Sequence, residues 1–312
     1  MTVKQHRILI FGAGVIGSIY AIKFMEAGFD VTMLARSDRF HALKENGLKY
    51  NIKGEIKTIN VKVIDKLEND DRYDFIFVTV RYDRSESALL ALKDNQSKII
   101  VTMISNSIGF SSWLDIVGDR LLPAAPGVGG QIKDGILYPR FLPKLLAATN
   151  IGEINGSVTV RIKMLAELLK AAKLPYAVNN DMRAFLITHA VTDIAMLGFL
   201  NRDLDKVNHD TINIRKTARQ ITITIKKNVG VIQQAGVTIN PTNLKLLLNC
   251  PNWVLSFFFR LWLRTNMVKD MMLPDYAFHA NNEMVQLNND LKTFVSQKGF
   301  TLYEGQQDGI YH

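Results

Sequence analysis

Short apolar runs alternate with amphipathic stretches in the first half of the chain, and the alternation fades beyond residue 180. Runs such as 8–11 and 74–80 are rich in β-branched and aromatic residues, as is typical of strands buried on both faces of a sheet. Helical patterns cover 85–93 and 160–172. Because strands and helices alternate, we expect a doubly wound, mainly parallel sheet. The predicted strands are 8–11, 29–34, 48–52, 56–64, 74–80, 98–104 and 121–125.

Beyond residue 180 the apolar positions recur at helical spacing. Asn180 or the residue after it can cap the first of these helices. The sequence therefore predicts two domains, an α/β domain over residues 1–178 and an all-α domain over 179–312. We expect residues 174–181 to link the two domains and the active cleft to lie between them. The predicted helices are 181–198, 211–234, 243–249, 253–272 and 281–297.

A glycine-rich turn follows the first strand, with Gly12, Gly14 and Gly17 at G-x-G-x-x-G spacing. Gly12 permits the sharp turn, Gly14 lets the backbone approach a pyrophosphate, and Gly17 lets the helix pack closely on the strand. The helix N-terminus offers free N–H groups to phosphate. Because the motif follows a strand, opens a helix and leads to a second strand, it predicts a dinucleotide-binding, Rossmann-type domain. A tight turn without a ligand is the alternative.

The residues at the end of the second strand indicate which dinucleotide the domain binds. A free ribose 2′-hydroxyl usually meets an acidic residue there, whereas a 2′-phosphate meets arginine. Asp30 stands at the start of this strand, and Arg36 stands at its end. The planar guanidinium of Arg36 suits a phosphate, so the sequence predicts NADP(H) in preference to NAD(H). The alternative is that Arg36 and Arg39 are solvated loop charges.

The composition, 47% hydrophobic and 21% charged residues, is that of an ordinary globular protein. One cysteine, Cys250, excludes an internal disulfide and fits a reducing, cytoplasmic location. Since a strand begins within ten residues of the start, we expect no secretory signal. The net charge of +9 comes from scattered residues without a nucleic-acid-binding motif, so we expect no nucleic-acid partner. We also expect no metal site.

The most apolar stretch of the chain is 253–263, and Arg260 interrupts it. This stretch is much shorter than the roughly 20 apolar residues of a membrane-spanning helix. We therefore expect a buried helix or a subunit interface in a homodimer, and no membrane contact.

Polar residues that directly follow strand ends are the first candidates for catalytic and binding roles. Arg81 follows one predicted strand as a fixed cation, and Asn106 follows the next with an amide that can donate and accept. A surface charge and a loop cap are the respective alternatives. In the helical half, His189 with Asp193, and His279 with Glu283, are spaced four residues apart, which places each pair on one helix face. A histidine oriented by a carboxylate can donate a proton near neutral pH, although isolated histidines are often ordinary side chains.

The chain resembles the ketopantoate reductase (2-dehydropantoate 2-reductase) family over nearly its whole length. The resemblance rests on the segments ILIFGAGVIGSIYA, FIFVTVRYD, ISNSIGF, APGVGG, IGEINGS, NNDMRAFLITHAVTD and NNEMVQLNNDLKTFVSQKGF. It implies an N-terminal NADP-binding domain, a helical C-terminal domain, and NADPH-dependent reduction of a 2-oxo acid in pantothenate biosynthesis.

The resemblance also implies roles for individual residues. It places Arg36 on the 2′-phosphate, Asn106 beside cofactor and substrate, and Glu283 in support of the active site, with Asn288 in the same segment. Arg81 stands where the family usually has lysine, which keeps the charge but not the shape. From the residues and the resemblance together, the predicted catalytic residues are Glu283, His189, Arg81 and Asn106, and the predicted cofactor-binding residues are Gly12, Gly14, Val15, Ile16, Gly17, Arg36, Arg81 and Asn106.

One departure from the family concerns its general acid, a lysine on the first helix of the second domain with asparagines one and two turns later. Aligning through 190–191 places Thr188, Thr192 and Met196 at these positions, and no lysine occurs between Lys173 and Lys206. Thr188, Thr192 and Asn288 are then the substrate-side candidates.

Two functions follow from this departure. The first is a reductase of a small 2-oxo acid or related carbonyl with a changed proton donor, for which His189 is the nearest group on the helix. The alternative is a non-catalytic NADP-binding relative that acts as a sensor or interaction protein.

Overall fold

The structure, a computed structural model, describes residues 6–141, 148–204, 213–265, 268 and 281–304. The chain forms two compact units. The first comprises Met1–Ile104 with Phe110–Met182, and the second comprises Ser105–Gly109 with Arg183–His312. The division thus falls after Met182, and a five-residue loop from the first half of the sequence belongs to the second unit.

The first unit contains an eight-stranded sheet and a four-stranded sheet. The strands are β1 Arg7–Phe11, β2 Asp30–Leu34, β3 Leu48–Ile52, β4 Glu55–Ile59, β5 Lys62–Ile64, β6 Phe75–Val78, β7 Ile100–Met103, β8 Leu121–Ala125, β9 Val128–Lys133, β10 Ile136–Phe141, β11 Thr149–Ile151 and β12 Tyr176–Val178. Its helices are α1 Val15–Glu26, α2 Ser37–Asn46, α3 Ser85–Leu90, α4 Ser111–Val117 and α5 Val160–Ala171.

The large sheet has the order β12-β11-β8-β7-β6-β1-β2-β5. Every neighbouring pair is parallel except β8 with β11, which run antiparallel. The predicted doubly wound, mainly parallel sheet is therefore confirmed. The strand order changes direction around β1, and in such sheets ligands bind beyond the carboxyl ends of the strands at this point.

Helix α1 is fixed to the sheet by aromatic packing. Phe24 lies 5.0 Å from Phe77 of β6 between ring centroids, and both side chains are fully buried. The Tyr20 hydroxyl lies 2.6 Å from Thr149 Oγ1, and burial raises the pKa of Tyr20 to about 12, although the hydrogen bond with Thr149 acts to lower it. These contacts hold the N-terminus of α1 in a fixed position above the end of β1.

Two sequence expectations for this unit are corrected, and one hairpin was missed. The predicted strand 56–64 is two strands, since β4 pairs with β3 in the small sheet and β5 pairs with β2 in the large one. The predicted linking segment 174–181 contains β12, which pairs with β11. The hairpin of β9 and β10 was not predicted, although Asp134 and Gly135, both at positive φ, form the Asp-Gly turn typical of hairpins.

The second unit is helical among its described residues, as expected. Its helices are α6 Met182–Leu204, α7 Ile214–Gln234, α8 Thr242–Asn249, α9 Asn252–Leu263 and α10 Asn281–Ser296. Helix α7 begins at the cap Asn213, whose side chain accepts a hydrogen bond from Lys216 N at 3.0 Å. The predicted helix 253–272 is too long, because α9 ends at Leu263 and a turn follows at Arg264 and Thr265; residues 269–272 lie outside the described part.

None of the described helices is long and apolar enough to cross a membrane.

Candidate functional site

The glycine turn between β1 and α1 has the backbone geometry that its glycines predict. Gly12 has φ 117°, a value that side chains disfavour. A Cβ at Gly17 would lie 2.5 Å from Thr79 Oγ1 and would overlap the carbonyl oxygen of Gly12. At Gly14 a Cβ would meet no atom within 4 Å, so the backbone there is open to a ligand.

The N-terminus of α1 leaves its first amides available. The first hydrogen bond of the helix runs from Ser18 N to Gly14 O at 2.9 Å, so the N–H groups of Val15, Ile16 and Gly17 have no partner within the helix. Together with the dipole of α1, these groups form a favourable position for an anion.

Thr79 holds this turn in place and was missed by the sequence interpretation. Its hydroxyl donates to Gly12 O at 2.9 Å, and its backbone N donates to Phe11 O at 2.9 Å. The sequence did contain a signal for Thr79, because it is a hydroxyl residue at the end of the apolar run 74–80. In a parallel sheet, the end of this strand can lie beside the glycine turn. Thr79 thus joins the end of β6 to the glycine turn.

A cavity of about 460 Å³ opens at the turn. Gly12 and Gly14 form part of its wall, and Arg36 after β2 and Arg39 in the first turn of α2 also line it. The remaining lining residues are Phe11, Ala13, Leu34, Ala35, Val80, Arg84, Ser87 and Ala88. The cavity therefore combines apolar walls with three arginines, and Arg84 was not among the predicted site residues although it lies in the loop after β6.

The three arginines of the cavity differ in their availability. Arg39 donates to Ala13 O at 3.1 Å and to Ser18 Oγ at 3.3 Å, and burial lowers its pKa. Arg39 is therefore a structural brace of the turn and not a solvated loop charge. Arg84 pairs with Asp83 at 3.5 Å. Arg36 is exposed, and its side chain has no hydrogen-bond or ion-pair partner among the described residues, so its guanidinium is available for a ligand.

Arg81 does not line this cavity. Its Nε and a terminal nitrogen donate to the two carboxylate oxygens of Asp83 at 3.1 and 3.2 Å. The side chain of Asp83 is mostly buried, so this bidentate pair is held close to the end of β6. The predicted cation is present beyond the strand, but part of its hydrogen-bonding capacity is already used.

Asn106 is fully buried and organises its own loop. Its Oδ1 accepts from the backbone N of Ile108 at 3.0 Å and of Gly109 at 2.7 Å, and its Nδ2 donates to Gly109 O at 2.7 Å. From the sequence, Asn106 was interpreted either as a site residue or as a loop cap. The structure shows the loop-capping arrangement. The capped loop contacts α6, because Arg183 Nε would lie 3.1 Å from a Cβ at Gly109.

Helix α6 carries the remaining candidates of the second unit. His189 Nε2 lies 3.1 Å from Asp193 Oδ2, and the imidazole is half exposed and stacks on Phe185. Burial raises the pKa of Asp193, and the nearby His189 acts to lower it. Thr192 uses its hydroxyl on His189 O at 2.7 Å, and Thr188 is buried with its hydroxyl accepting from Asn240 N at 3.4 Å. The imidazole is thus the most exposed of these polar groups.

Helix α10 carries Glu283 and Asn288, both half-buried beside a fully buried face that includes Leu287 and Leu291. His279 lies outside the described residues, so its predicted pairing with Glu283 is not part of the structure described here. Among the described residues, no group of acidic, histidine or cysteine side chains is arranged to hold a metal ion.

The chain matches known proteins of one family. Residues 8–122 match the family model described as ketopantoate reductase PanE/ApbA. A 2-dehydropantoate 2-reductase of Archaeoglobus fulgidus is 27% identical over 193 residues, 62% of this chain and 63% of that protein, which is less than two thirds of its length. A 2-dehydropantoate 2-reductase of Pyrococcus abyssi is 29% identical over 293 residues, 93% of this chain and 91% of that protein.

A solved structure of D-mandelate dehydrogenase with NADH superposes with a TM-score of 0.70 at 14% identity, over 94% of this chain and 92% of that one. At this identity the likeness concerns the fold alone. The sequence matches and the fold agree, and the chain is similar to the ketopantoate reductase (PanE/ApbA) family.

Proposed function

We propose that this protein is an NADPH-dependent reductase of a 2-oxo acid or a closely related carbonyl compound. The observation that carries the proposal is the cavity at the glycine turn, which combines an open backbone at Gly14 with the free guanidinium of Arg36. The names of the relatives, 2-dehydropantoate 2-reductase and D-mandelate dehydrogenase, support a small 2-oxo or 2-hydroxy acid as the substrate class.

The residues of the cavity fit a dinucleotide. The amides of Val15, Ile16 and Gly17 are placed for a pyrophosphate, and the apolar walls from Leu34 and Val80 suit an adenine ring. A nicotinamide cofactor bound there supplies the hydride. Arg36 would contact the 2′-phosphate, since arginine can bind phosphate with two parallel hydrogen bonds.

Replacing Arg36 by alanine should weaken NADPH binding about 10- to 100-fold, because a charge-assisted hydrogen-bond pair contributes about 1.5–3 kcal/mol. NADH has no 2′-phosphate, so its affinity should stay unchanged. Fluorescence titration of both cofactors measures the two dissociation constants. Arg219→Ala, at an exposed position of α7, is the matched control and should alter neither. Equal losses for NADPH and NADH would contradict this role of Arg36.

The chain must also deliver a proton to the carbonyl oxygen of the substrate. We propose His189 for this step, because no lysine lies on α6 and the imidazole is exposed and held by Asp193. Asp193 contacts Nε2, which leaves Nδ1 as the nitrogen that donates to the substrate. A carboxylate on one ring nitrogen fixes the orientation of the ring, so that the other nitrogen points away from Asp193.

His189→Gln should lower kcat about 100-fold, the low end of the usual contribution of a general acid, because water can replace an exposed donor in part. The dissociation constant of NADPH should not change, since the residues that line the cavity at the glycine turn lie in the first unit. Stopped-flow oxidation of NADPH at saturating substrate measures the effect, with His41→Gln, an exposed histidine of α2, as the control. Full turnover in His189→Gln would exclude His189 as the donor.

A screen of NADPH oxidation over 2-oxo acids, with ketopantoate included, tests the function itself. Turnover of one or more of these acids supports the reductase. Tight NADPH binding without turnover of any carbonyl would instead favour the non-catalytic NADP-binding protein, for which the missing lysine is the motivating observation.

A further inference from the structure

Helix α9 presents large apolar side chains to solvent. Trp253, Phe257 and Leu261 follow one another at four-residue spacing, which places them on one helix face, and they are 75%, 50% and 47% exposed. Phe258 beside them is 54% exposed. We call these four residues the α9 stripe. The expectation that this segment is a buried helix is therefore wrong for these side chains.

The opposite face of α9 fixes the helix to the rest of the unit. Leu255 and Leu263 are buried, and Ser256 Oγ lies 3.0 Å from Thr222 Oγ1 of α7. Because the opposite face of α9 is packed against the unit, the α9 stripe faces solvent. Its exposure does not require a local rearrangement. Contiguous exposed apolar side chains of this size mark an interaction surface.

The charge around the stripe has one sign. The stretch 213–265, which covers α7 to α9, contains no Asp or Glu. Its cationic residues are Arg215, Lys216, Arg219, Lys226, Lys227, Lys245, Arg260 and Arg264. This helical stretch therefore carries most of the net charge of +9 of the whole chain, so the description of the cations as scattered does not hold for residues 213–265.

Cations stand at both ends of the stripe. Arg264 is exposed and follows Leu261 by three residues, directly after the end of α9. Near the other end, Lys226 Nζ contacts the carbonyl oxygen of Cys250, directly before α9. Lys226 and Lys245 also line a cavity of about 240 Å³ in this unit. An anionic surface would therefore meet positive charge along the length of α9.

We infer that the α9 stripe binds the surface of a bilayer that contains anionic lipids, which replaces the expectation from the sequence that this segment makes no membrane contact. Trp and Phe side chains insert at the level of the head groups, Leu side chains reach the acyl chains, and flanking Arg and Lys pair with lipid phosphates. A second copy of the chain fits less well, because a symmetric contact through this surface would bring two positive surfaces together. Nucleic acid fits less well, because its phosphates would pair with the cations while most of the apolar α9 stripe would stay exposed to water.

Co-sedimentation of the full chain with vesicles tests the inference. Vesicles of phosphatidylcholine with a minor share of phosphatidylglycerol should bind the protein at least about tenfold more tightly than vesicles of phosphatidylcholine alone, since each nearby cation contributes about fivefold. Added salt should weaken this binding. Equal binding to both vesicle types, or no binding to either, would overturn the inference.

Matched variants identify the surface. Phe257→Ser combined with Leu261→Ser should reduce vesicle binding about tenfold or more, through lost apolar burial. Ile56→Ser, at a position 57% exposed in the first unit, should leave it unchanged. Arg260→Gln with Arg264→Gln should likewise weaken binding, whereas Lys57→Gln should not. Trp253→Ser serves as an independent apolar variant if the double variant unfolds.

Three further outcomes would overturn the inference. A dimer in sedimentation velocity that Phe257→Ser with Leu261→Ser abolishes would identify a second copy as the partner. RNA binding with the same dependence on the stripe would identify a nucleic acid. Retained vesicle binding in the stripe variants would show that the lipid contact lies elsewhere on the chain.

Discussion

Gly17→Ala is expected to lower the free energy of unfolding by about 3 kcal/mol, the upper part of the range for overpacked interiors. The new Cβ would overlap Gly12 O and lie 2.5 Å from Thr79 Oγ1 and 2.9 Å from Ile10 Cγ2. Two of these neighbours belong to β1 and its turn, so relief requires α1 to move away from the sheet. That movement displaces the amides of Val15 and Ile16, and NADPH binding should fall with stability.

Gly14→Ala is the matched control for this prediction. A Cβ at Gly14 meets nothing within 4 Å, and its φ of −78° is ordinary for alanine. Stability should therefore be unchanged, while cofactor affinity should fall because the methyl group occupies the open backbone surface. Urea unfolding monitored by circular dichroism, with NADPH titration in parallel, separates the two effects. A fully stable Gly17→Ala protein would contradict the close packing of α1 on β1.

The fold of the first unit was largely predictable because its signals are local. A few consecutive residues are enough to recognise each buried run around β1, β6 and β7, and the same holds for the glycine turn. The division of 56–64 into two strands was not predictable in this way, since β4 and β5 are separated by pairing with different partners, β3 and β2. Pairing between distant segments leaves little trace in a single sequence.

The candidate site was predictable to a smaller extent. The turn glycines and Arg36 were found because backbone geometry and strand ends leave sequence patterns. Thr79 and Arg84 were missed, because their importance arises only when the end of β6 lies beside the turn. The amide of Asn106 looked chemically free in the sequence, whereas in the fold it is occupied by its own loop.

The resemblance segment IGEINGS contains a buried carboxylate whose role became visible only in the structure. Glu153 is 4% exposed and accepts hydrogen bonds from Arg161 Nε at 2.7 Å and from Thr159 Oγ1 at 2.5 Å. Arg161 also donates to the backbone oxygens of Asp119 and Leu121. This network ties the loop after β11 to α5 and to the start of β8.

Glu153→Gln is therefore expected to cost about 3 kcal/mol of the free energy of unfolding, near the low end for a broken buried ion pair because Arg161 keeps some solvent contact. The glutamine amide has nearly the same shape but no charge, so Arg161 loses its counter-ion. Urea unfolding at neutral pH measures the loss. Glu167→Gln, at an exposed position of α5, is the control and should have little effect.

The pH dependence gives this prediction a second, independent readout. Burial alone would raise the pKa of Glu153, but the hydrogen bonds from Arg161 and Thr159 outweigh it and lower the pKa. A carboxyl group with a lowered pKa stabilises the fold above its unfolded-state value, and this contribution is lost as the pH falls through the folded-state value. The stability difference between the wild type and Glu153→Gln should thus be constant from neutral pH down to the ordinary glutamate pKa and should shrink only below it. A difference that does not depend on pH in that acidic range would mean that the charge of Glu153 is not what stabilises this loop.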